Sequence, residues 1–211
     1  MIAVIETIFG RNITIVYKSL DLQSVDRNKL REIVPGVTPT IMDMPEMLVA
    51  VFPPYPWLIQ FSDRRLHVNL SVESNELGEF PLWEYAQRAH LTVSPDKAPL
   101  HAYGFNFDFG VRFDGITPQE LLISKFVSNR RALEEEIQGT LVSYMPRVVF
   151  SSDTIQYDII FEPIDENRMK IHGNAHIEYP GIELPSSEEL KALYKIQFER
   201  LRNTISKLIR E

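Results

Sequence analysis

The chain has 211 residues, 44% of them hydrophobic and 24% charged, so it can bury a substantial core and is not expected to be disordered. A formal charge of -7 disfavours broad contact with nucleic acid or with anionic membranes, because both require a positive field. The absence of cysteine excludes disulfides, thiolate metal sites and a cysteine nucleophile.

The first ten residues, MIAVIETIFG, lack a basic start and carry Glu6 where a signal peptide is apolar. The uncharged run at 47–61 is too short and too rich in proline to span a bilayer. We therefore expect a cytoplasmic protein with no membrane segment.

The N-terminal region is predicted to begin with strands. Residues 2–9 and 12–20 alternate well enough for a hairpin that turns at Gly10. Ser24 is typical of a helix N-cap, and the helix is expected to end before Pro35.

Three further strands are predicted at 47–52, 57–61 and 65–73, and a helix follows Pro81. The segment 65–73 is strongly amphipathic, since Leu66, Val68, Leu70 and Val72 alternate with His67, Asn69, Ser71 and Glu73. One face of this strand is therefore aliphatic and the other polar.

The segment 100–113, LHAYGFNFDFGVRF, has an aromatic residue at every second position from Tyr103 to Phe109. We assign His101 and Phe113 to the same face. Such a row can stack bases, line a cavity for an apolar ligand, or form the core, and the acidic composition disfavours the first. We favour the core, because large rings supply much of the burial that a small α+β protein needs.

The C-terminal half continues with a helix whose N-cap is Thr117, with Pro118 in its first turn and Glu120 completing a capping box. Strands are predicted near 140–150, at 153–162 and at 168–179. A long amphipathic helix runs from Ser187 to about Ile209.

Two segments of the chain resemble each other. LHVNLSVE at 66–73 and IHGNAHIE at 171–178 share His, Asn and Glu at the same offsets, and each precedes a helix. The sequence thus predicts an internally duplicated α+β protein with mostly antiparallel sheets, two lobes (1–95 and 96–211) and a pseudo-twofold axis. Each half is expected to run strand, helix, three strands, helix.

The polar rows of the two repeats are the candidate site. Histidine beside a carboxylate can transfer protons at neutral pH, which gives the candidate catalytic residues His67, Glu73, His172, His176 and Glu178. The candidate ligand-binding residues are Asn69, Asn174, Tyr103, Phe105 and Phe107.

No metal or cofactor is predicted. On a strand, His172 and His176 lie about 13 Å apart and cannot share one ion. His176 and Glu178 can face the same ion, but no third ligand is evident. Common nucleotide-binding and hydrolase motifs are also absent.

These observations favour a protein that binds without catalysing a reaction, with another protein or a second copy of itself as partner and a small molecule as a further candidate. The C-terminal helix carries apolar residues beyond one stripe, which suits self-association. The alternatives are a hydrolase that uses the His/Asn/Glu face and a carrier of an apolar ligand that uses the aromatic strand.

Overall fold

The computed structural model describes residues 2–78, 80–94, 96–178 and 183–210. Its strands are β1 (Ile2–Tyr17), β2 (Thr40–Met44), β3 (Met47–Val51), β4 (Trp57–Ser62), β5 (Arg65–Leu70), β6 (Leu100–Asp114), β7 (Arg147–Ser152), β8 (Ile155–Pro163) and β9 (Arg168–Glu178). Its α-helices in these ranges are α1 (Arg27–Arg31), α2 (Leu82–His90), α3 (Pro118–Phe126), α4 (Arg130–Ile137) and α5 (Ser187–Leu208).

All nine strands belong to one antiparallel sheet in the order β2-β3-β4-β5-β1-β6-β9-β8-β7. The predicted α+β class, the antiparallel pairing and the long C-terminal helix are confirmed. The long strands β1 and β6 pair at the centre, so the residues they carry meet in the middle of the sheet.

Helix boundaries follow the local signals in the sequence. Thr117 and Glu120 form the predicted capping box at the start of α3. Ser186 and Glu189 form a second capping box at the start of α5. Each box satisfies two backbone N–H groups that the helix itself leaves unpaired.

The rings of β6 form the centre of the core, as predicted. Phe105, Phe107 and Phe109 are almost completely buried beneath α5. The ring of Phe107 lies 5.1 Å from that of Tyr194 and 5.2 Å from that of Phe198, measured between centroids. Rings at these distances and tilts stabilise the fold beyond the area they bury.

Several predicted elements differ in the structure. The hairpin at Gly10 is wrong, because β1 runs unbroken past this residue. Its pairing with β6 shifts between Ile5 and Thr7 and between Ile8 and Gly10, so the glycine lies at a β-bulge rather than in a turn.

The helix near Ser24 begins later than predicted, with Asp26 as its N-cap, while Ser24 ends a short 3-10 turn. The expected order of three strands between helices is also incomplete. Four strands, β2 to β5, separate α1 from α2, and a further helix, α4, precedes β7.

The position of His101 also differs from the prediction. Alternation along the strand predicts this residue on the aromatic face, yet its side chain is exposed on the opposite one. Val16 pairs with Ala102 and the next residue, Tyr17, pairs with Leu100, so His101 is the extra residue of a bulge. A bulge changes the face onto which a strand projects its side chains.

The division into lobes at 95 and 96 stays a prediction, and residue 95 lies outside the described residues. In the described part of the chain, no helix combines the length and the apolar character needed to cross a membrane.

Candidate functional site

One face of the four central strands carries a row of asparagines. Asn12 of β1 pairs with Asn69 of β5 on one side and with Asn106 of β6 on the other. Asn106 in turn pairs with Asn174 of β9. We call Asn69, Asn12, Asn106 and Asn174 the asparagine row. It lies on the face opposite the buried rings, because neighbouring residues of a strand point to opposite sides.

The side chains of the asparagine row are joined by hydrogen bonds. Asn174 Nδ2 donates to Asn106 Oδ1 at 2.6 Å, Asn106 Nδ2 donates to Asn12 Oδ1 at 2.8 Å, and Asn12 Nδ2 donates to Asn69 Oδ1. Thr14 Oγ1 donates to Asn12 Oδ1 at 2.5 Å and accepts from Asn106 Nδ2 at 3.2 Å.

The two inner asparagines have used most of their hydrogen-bonding capacity within the row. Asn12 Oδ1 accepts two bonds, and Asn106 Nδ2 donates two. The outer Asn69 and Asn174 make one bond each within the row, and a side-chain amide can make four. Free donors and acceptors are therefore concentrated at the two ends.

Two histidines are hydrogen-bonded beside the row. His67 Nδ1 lies 3.0 Å from Thr14 Oγ1, and His172 Nδ1 lies 2.8 Å from Asp108 Oδ1. The hydroxyl hydrogen of Thr14 is already donated to Asn12, and a carboxylate can only accept. Both Nδ1 atoms are thus donors, which leaves Nε2 of each neutral ring as an acceptor.

Asp108 is the carboxylate of this site. Burial by itself raises its pKa, but the hydrogen bond and charge of His172 and the charge of Lys170, 3.5 Å away, oppose burial and lower the pKa overall. Asp108 is therefore ionised at neutral pH and holds the His172 ring in one tautomer and orientation.

These groups line an open cleft of about 690 Å³, which we call the central cleft. Four of the five histidines of the chain line it, together with the whole asparagine row. Its lining residues include Gly10, Asn12, Thr14, Arg64, Arg65, His67, Asn69, Ser71, His101, Gly104, Asn106, Asp108, His172, Asn174 and His176.

Glycines keep part of the floor of the cleft low. A Cβ on Gly10 would lie 2.9 Å from Asp108 Oδ2, and one on Gly104 would lie 2.9 Å from the carbonyl oxygen of Ala175. Side chains at these positions would therefore displace the carboxylate or the neighbouring strand.

His67 and His176 both have lowered pKa values. For His67 the cause is burial, followed by the charge of Arg65. For His176 burial again comes first; Glu178 opposes it, whereas His101 and Arg65 add to it. Both rings are neutral at pH 7, since an unperturbed histidine already titrates near pH 6.5.

The structure brings together five of the ten predicted site residues. His67, Asn69, His172, Asn174 and His176 all line the central cleft. Glu73 lies beyond the end of β5 and outside the cleft, while Glu178 is exposed at the end of β9, beside a smaller pocket that His176 also lines.

The three predicted aromatic ligands lie on the other side of the sheet. Tyr103, Phe105 and Phe107 are 3%, 0% and 1% exposed, and none lines the central cleft. Phe105 and Phe107 instead pack against Tyr194 of α5.

Four residues of the site are not among those predicted from the sequence: Asn12, Thr14, Asn106 and Asp108. A signal for them exists in the sequence. Each central strand contains two polar residues separated by one residue: His67–Asn69, Asn12–Thr14, Asn106–Asp108 and His172–Asn174. Four such pairs on strands that neighbour each other indicate one polar surface, but the strand order is needed to recognise it.

In the described part of the chain, no three His, Asp or Glu side chains are grouped so that they could hold a metal ion. No protein-family model matches the sequence, and no curated protein matches it significantly. A function must therefore be inferred from the chemistry of the central cleft itself.

Proposed function

We propose that the protein binds a small polar molecule in the central cleft and does not transform it. The observation that supports this function is the convergence of four of the five histidines and four asparagines on one 690 Å³ cleft. Cavities of this size accommodate small molecules, and a few well-placed polar groups fix their orientation.

The hydrogen bonds of the site support binding because they fix its groups before a ligand arrives. The inner asparagines and Thr14 are bonded to one another, so they act as a rigid base. Asn69 and Asn174, with Nε2 of His67 and His172, offer free donors and acceptors above it. Such preorganisation lowers the entropy lost on binding.

Native mass spectrometry of gently purified protein tests this proposal first. We expect a small molecule that leaves on denaturation, and we expect Asn69→Ala combined with Asn174→Ala to lose it. Asn203→Ala, at an exposed position of α5, is the matched control. A ligand retained equally by all three proteins, or bound only on the helix side of the sheet, contradicts the proposal.

If native spectra carry no added mass, a screen of sugars, amides, short peptides and anions by NMR replaces them. Binding in the cleft should shift the side-chain amide signals of Asn69 and Asn174. A folded protein that shows no such shift with any compound overturns the proposed function.

A hydrolase is the second candidate, and one observation favours it. Asp108 orients His172 through a 2.8 Å hydrogen bond, and this pairing prepares Nε2 as a general base toward water. Asp108→Asn and His172→Gln should then each abolish turnover of a substrate that still binds. Loss of binding together with turnover, or turnover unaffected in either variant, contradicts this candidate.

We also infer that the chain arose by internal duplication. Asn12 and Asn106 face each other across the central strand pair. Two positions beyond each of them is a residue that accepts a hydrogen bond from a histidine. Thr14 accepts from His67, and Asp108 accepts from His172. Each histidine precedes an outer asparagine by two residues. An experimental structure whose halves do not superpose with these pairs in equivalent positions contradicts this inference.

The remaining sequence predictions are part of the proposal as well. For self-association, α5 offers one exposed apolar side chain, Ile196, on its outer side. Its other apolar residues Leu190, Phe198 and Leu201 are buried. A cytoplasmic location and a protein partner stay predictions. The packing of the β6 rings against α5 gives no support to a carrier of apolar ligands.

A further inference from the structure

The two ends of the central cleft differ in charge. Around Asp108 the groups that carry or can acquire positive charge, Lys170 and His172, both contact the carboxylate. The buried guanidinium of Arg11, which also lines the cleft, donates to Ser74 and to the carbonyl oxygen of Glu76. At the other end the lining groups that carry or can acquire positive charge are Arg64, Arg65, His67, His101 and His176. Among the described residues that act on His176, Glu178 is the one acid that favours its charged form.

The backbone register places this second end around Gly104. His67 pairs with Thr14, Thr14 pairs with Gly104, and Gly104 pairs with His176, so the four residues lie in one line across four strands. The two histidines are separated by three strand spacings, about 14 Å between backbones. The two residues between them are Thr14 and Gly104, and Gly104 has no side chain.

The gap above Gly104 therefore has a low floor and imidazole rings on two sides. Arg65, two residues before His67, and His101, exposed by the bulge in β6, line the same end of the cleft. Arg65 is a donor as it stands, and the imidazole rings become donors toward an anion when they take up a proton, so donors can approach from several directions. A tetrahedral oxyanion accepts hydrogen bonds from several directions, whereas a carboxylate accepts them mainly in one plane.

The local charge at this end of the cleft also favours an anionic ligand. The protein as a whole is acidic, with a formal charge of -7. Arg64 and Arg65 nevertheless place positive charge at one end of the cleft, and a positive recess in an acidic surface attracts and orients anions.

We propose that the ligand of the central cleft is a phosphorylated small molecule whose phosphoryl group lies above Gly104, between His67 and His176, with Arg65 and His101 as further partners. This proposal rests on the proposed function, since it names the ligand class of the same site. The remainder of the ligand extends along the asparagine row toward Asp108.

Phosphate binding should be accompanied by proton uptake. His176 faces His101 and Arg65, with Glu178 on its own strand and Asp153 across the smaller pocket. Burial is the main cause of its lowered pKa, and these two positive or potentially positive neighbours lower the pKa further. A bound anion reverses this balance and raises the pKa of His176 toward or above its ordinary value.

His67 has a simpler environment. The residues that pair with it are the neutral Thr14 and Gln60, and Arg65 is the charged group acting on it. Its pKa should rise for the same reason when an anion lies beside Nε2. Because Nδ1–H is already donated to Thr14, the proton taken up enters at Nε2 and is donated to the anion.

Titration with inorganic phosphate, followed by NMR of the backbone amides and histidine side chains, tests the proposal. We expect saturable shifts at residues 104 and 106, with the pKa values of His67 and His176 rising at saturation. Arg65→Gln combined with His176→Gln should weaken phosphate binding at least tenfold. Arg131→Gln, on the exposed side of α4, is the charge-matched control and should change it less than twofold.

Other outcomes overturn the proposal. Acetate that binds as tightly as phosphate, or equal weakening by Arg131→Gln, indicates unselective attraction of anions by exposed positive side chains. If a neutral ligand binds and requires Asn69 and Asn174, while phosphate causes no shift, the phosphoryl site is excluded. The proposed function then still holds. The amide spectrum of each variant in the absence of phosphate shows whether it is folded.

Discussion

The two faces of β6 have opposite roles, although the same fifteen residues build them. On the face beneath α5, Phe105, Phe107 and Phe109 are fully packed among other rings. On the open face, Gly104, Asn106 and Asp108 line the central cleft. Consecutive residues of β6 therefore alternate between the core and the candidate site.

This comparison shows why the fold can support a polar cleft. Hydrogen bonds exposed to water add little net stability, because water offers equivalent partners. Burial of aromatic rings adds much more, about 1.5–3 kcal/mol for each large apolar side chain. The packed face can therefore supply the stability, and the open face is left free to be shaped for binding.

Phe107→Ala should be the most damaging single change. Its ring lies between Tyr194 and Phe198 and is 1% exposed, so truncation leaves a cavity in the centre of the core. We expect the free energy of unfolding to fall by about 3–5 kcal/mol, measured by urea denaturation. A loss below about 1 kcal/mol would contradict this account of the packed face.

Asn106→Ala makes the equivalent change on the open face. It removes two donated bonds, to Asn12 and Thr14, and one accepted from Asn174. Water can replace part of them, so we expect the free energy of unfolding to fall by about 1–2 kcal/mol, less than for Phe107→Ala. A larger loss than in the core variant would reverse the roles assigned to the two faces.

Two tyrosines on the packed side differ in whether the hydroxyl is hydrogen-bonded. Tyr157 donates a buried 2.7 Å hydrogen bond to Gln197, whereas the buried hydroxyl of Tyr194 has no partner among the described residues. Tyr157→Phe should lower the free energy of unfolding by about 1 kcal/mol, because Gln197 Oε1 is left unpaired. Tyr194→Phe should leave it unchanged or raise it slightly.

Denaturant titrations of both tyrosine variants, run beside the wild type, measure this difference. If Tyr194→Phe is as destabilising as Tyr157→Phe, the Tyr194 hydroxyl must be bonded through water, and the contrast between the two residues disappears.

Local patterns in the sequence predicted the packed face well. Alternation of rings in 100–113 was sufficient to identify the core strand, and the capping residues Thr117 and Glu120 fixed a helix start. Such signals depend on neighbours along the chain. The failures at Gly10 and His101 are β-bulges, whose extra residues are defined by the partner strand rather than by the sequence around them.

The open face could be predicted only in part, because it is assembled from distant segments. The repeat identified His67, Asn69, His172 and Asn174, which share a visible spacing. Asn12 and Thr14 share that spacing but lie outside the repeat, and they join the site because β1 lies between β5 and β6. Strand order of this kind depends on long-range pairing, which periodicity within a segment does not specify.

The pH dependence of stability should show the smallest effect and should come from the open face. The folded-state pKa of His67 is lowered by burial and by Arg65. In the unfolded chain the pKa of His67 is about 6.5. Below that pH the unfolded chain binds a proton at His67 that the folded protein does not bind. The contribution of His67 to stability is therefore present above that pH and is lost as the pH falls below it. His67→Gln should therefore reduce the rise in stability between about pH 5 and pH 7, as followed by urea denaturation at a series of pH values.

Parallel curves for the wild type and this variant would mean that the ring is as free to ionise in the cleft as in the unfolded chain. The same titration gives the pKa from which a bound anion would raise that of His67, so this small effect bears directly on the proton uptake assigned to the cleft.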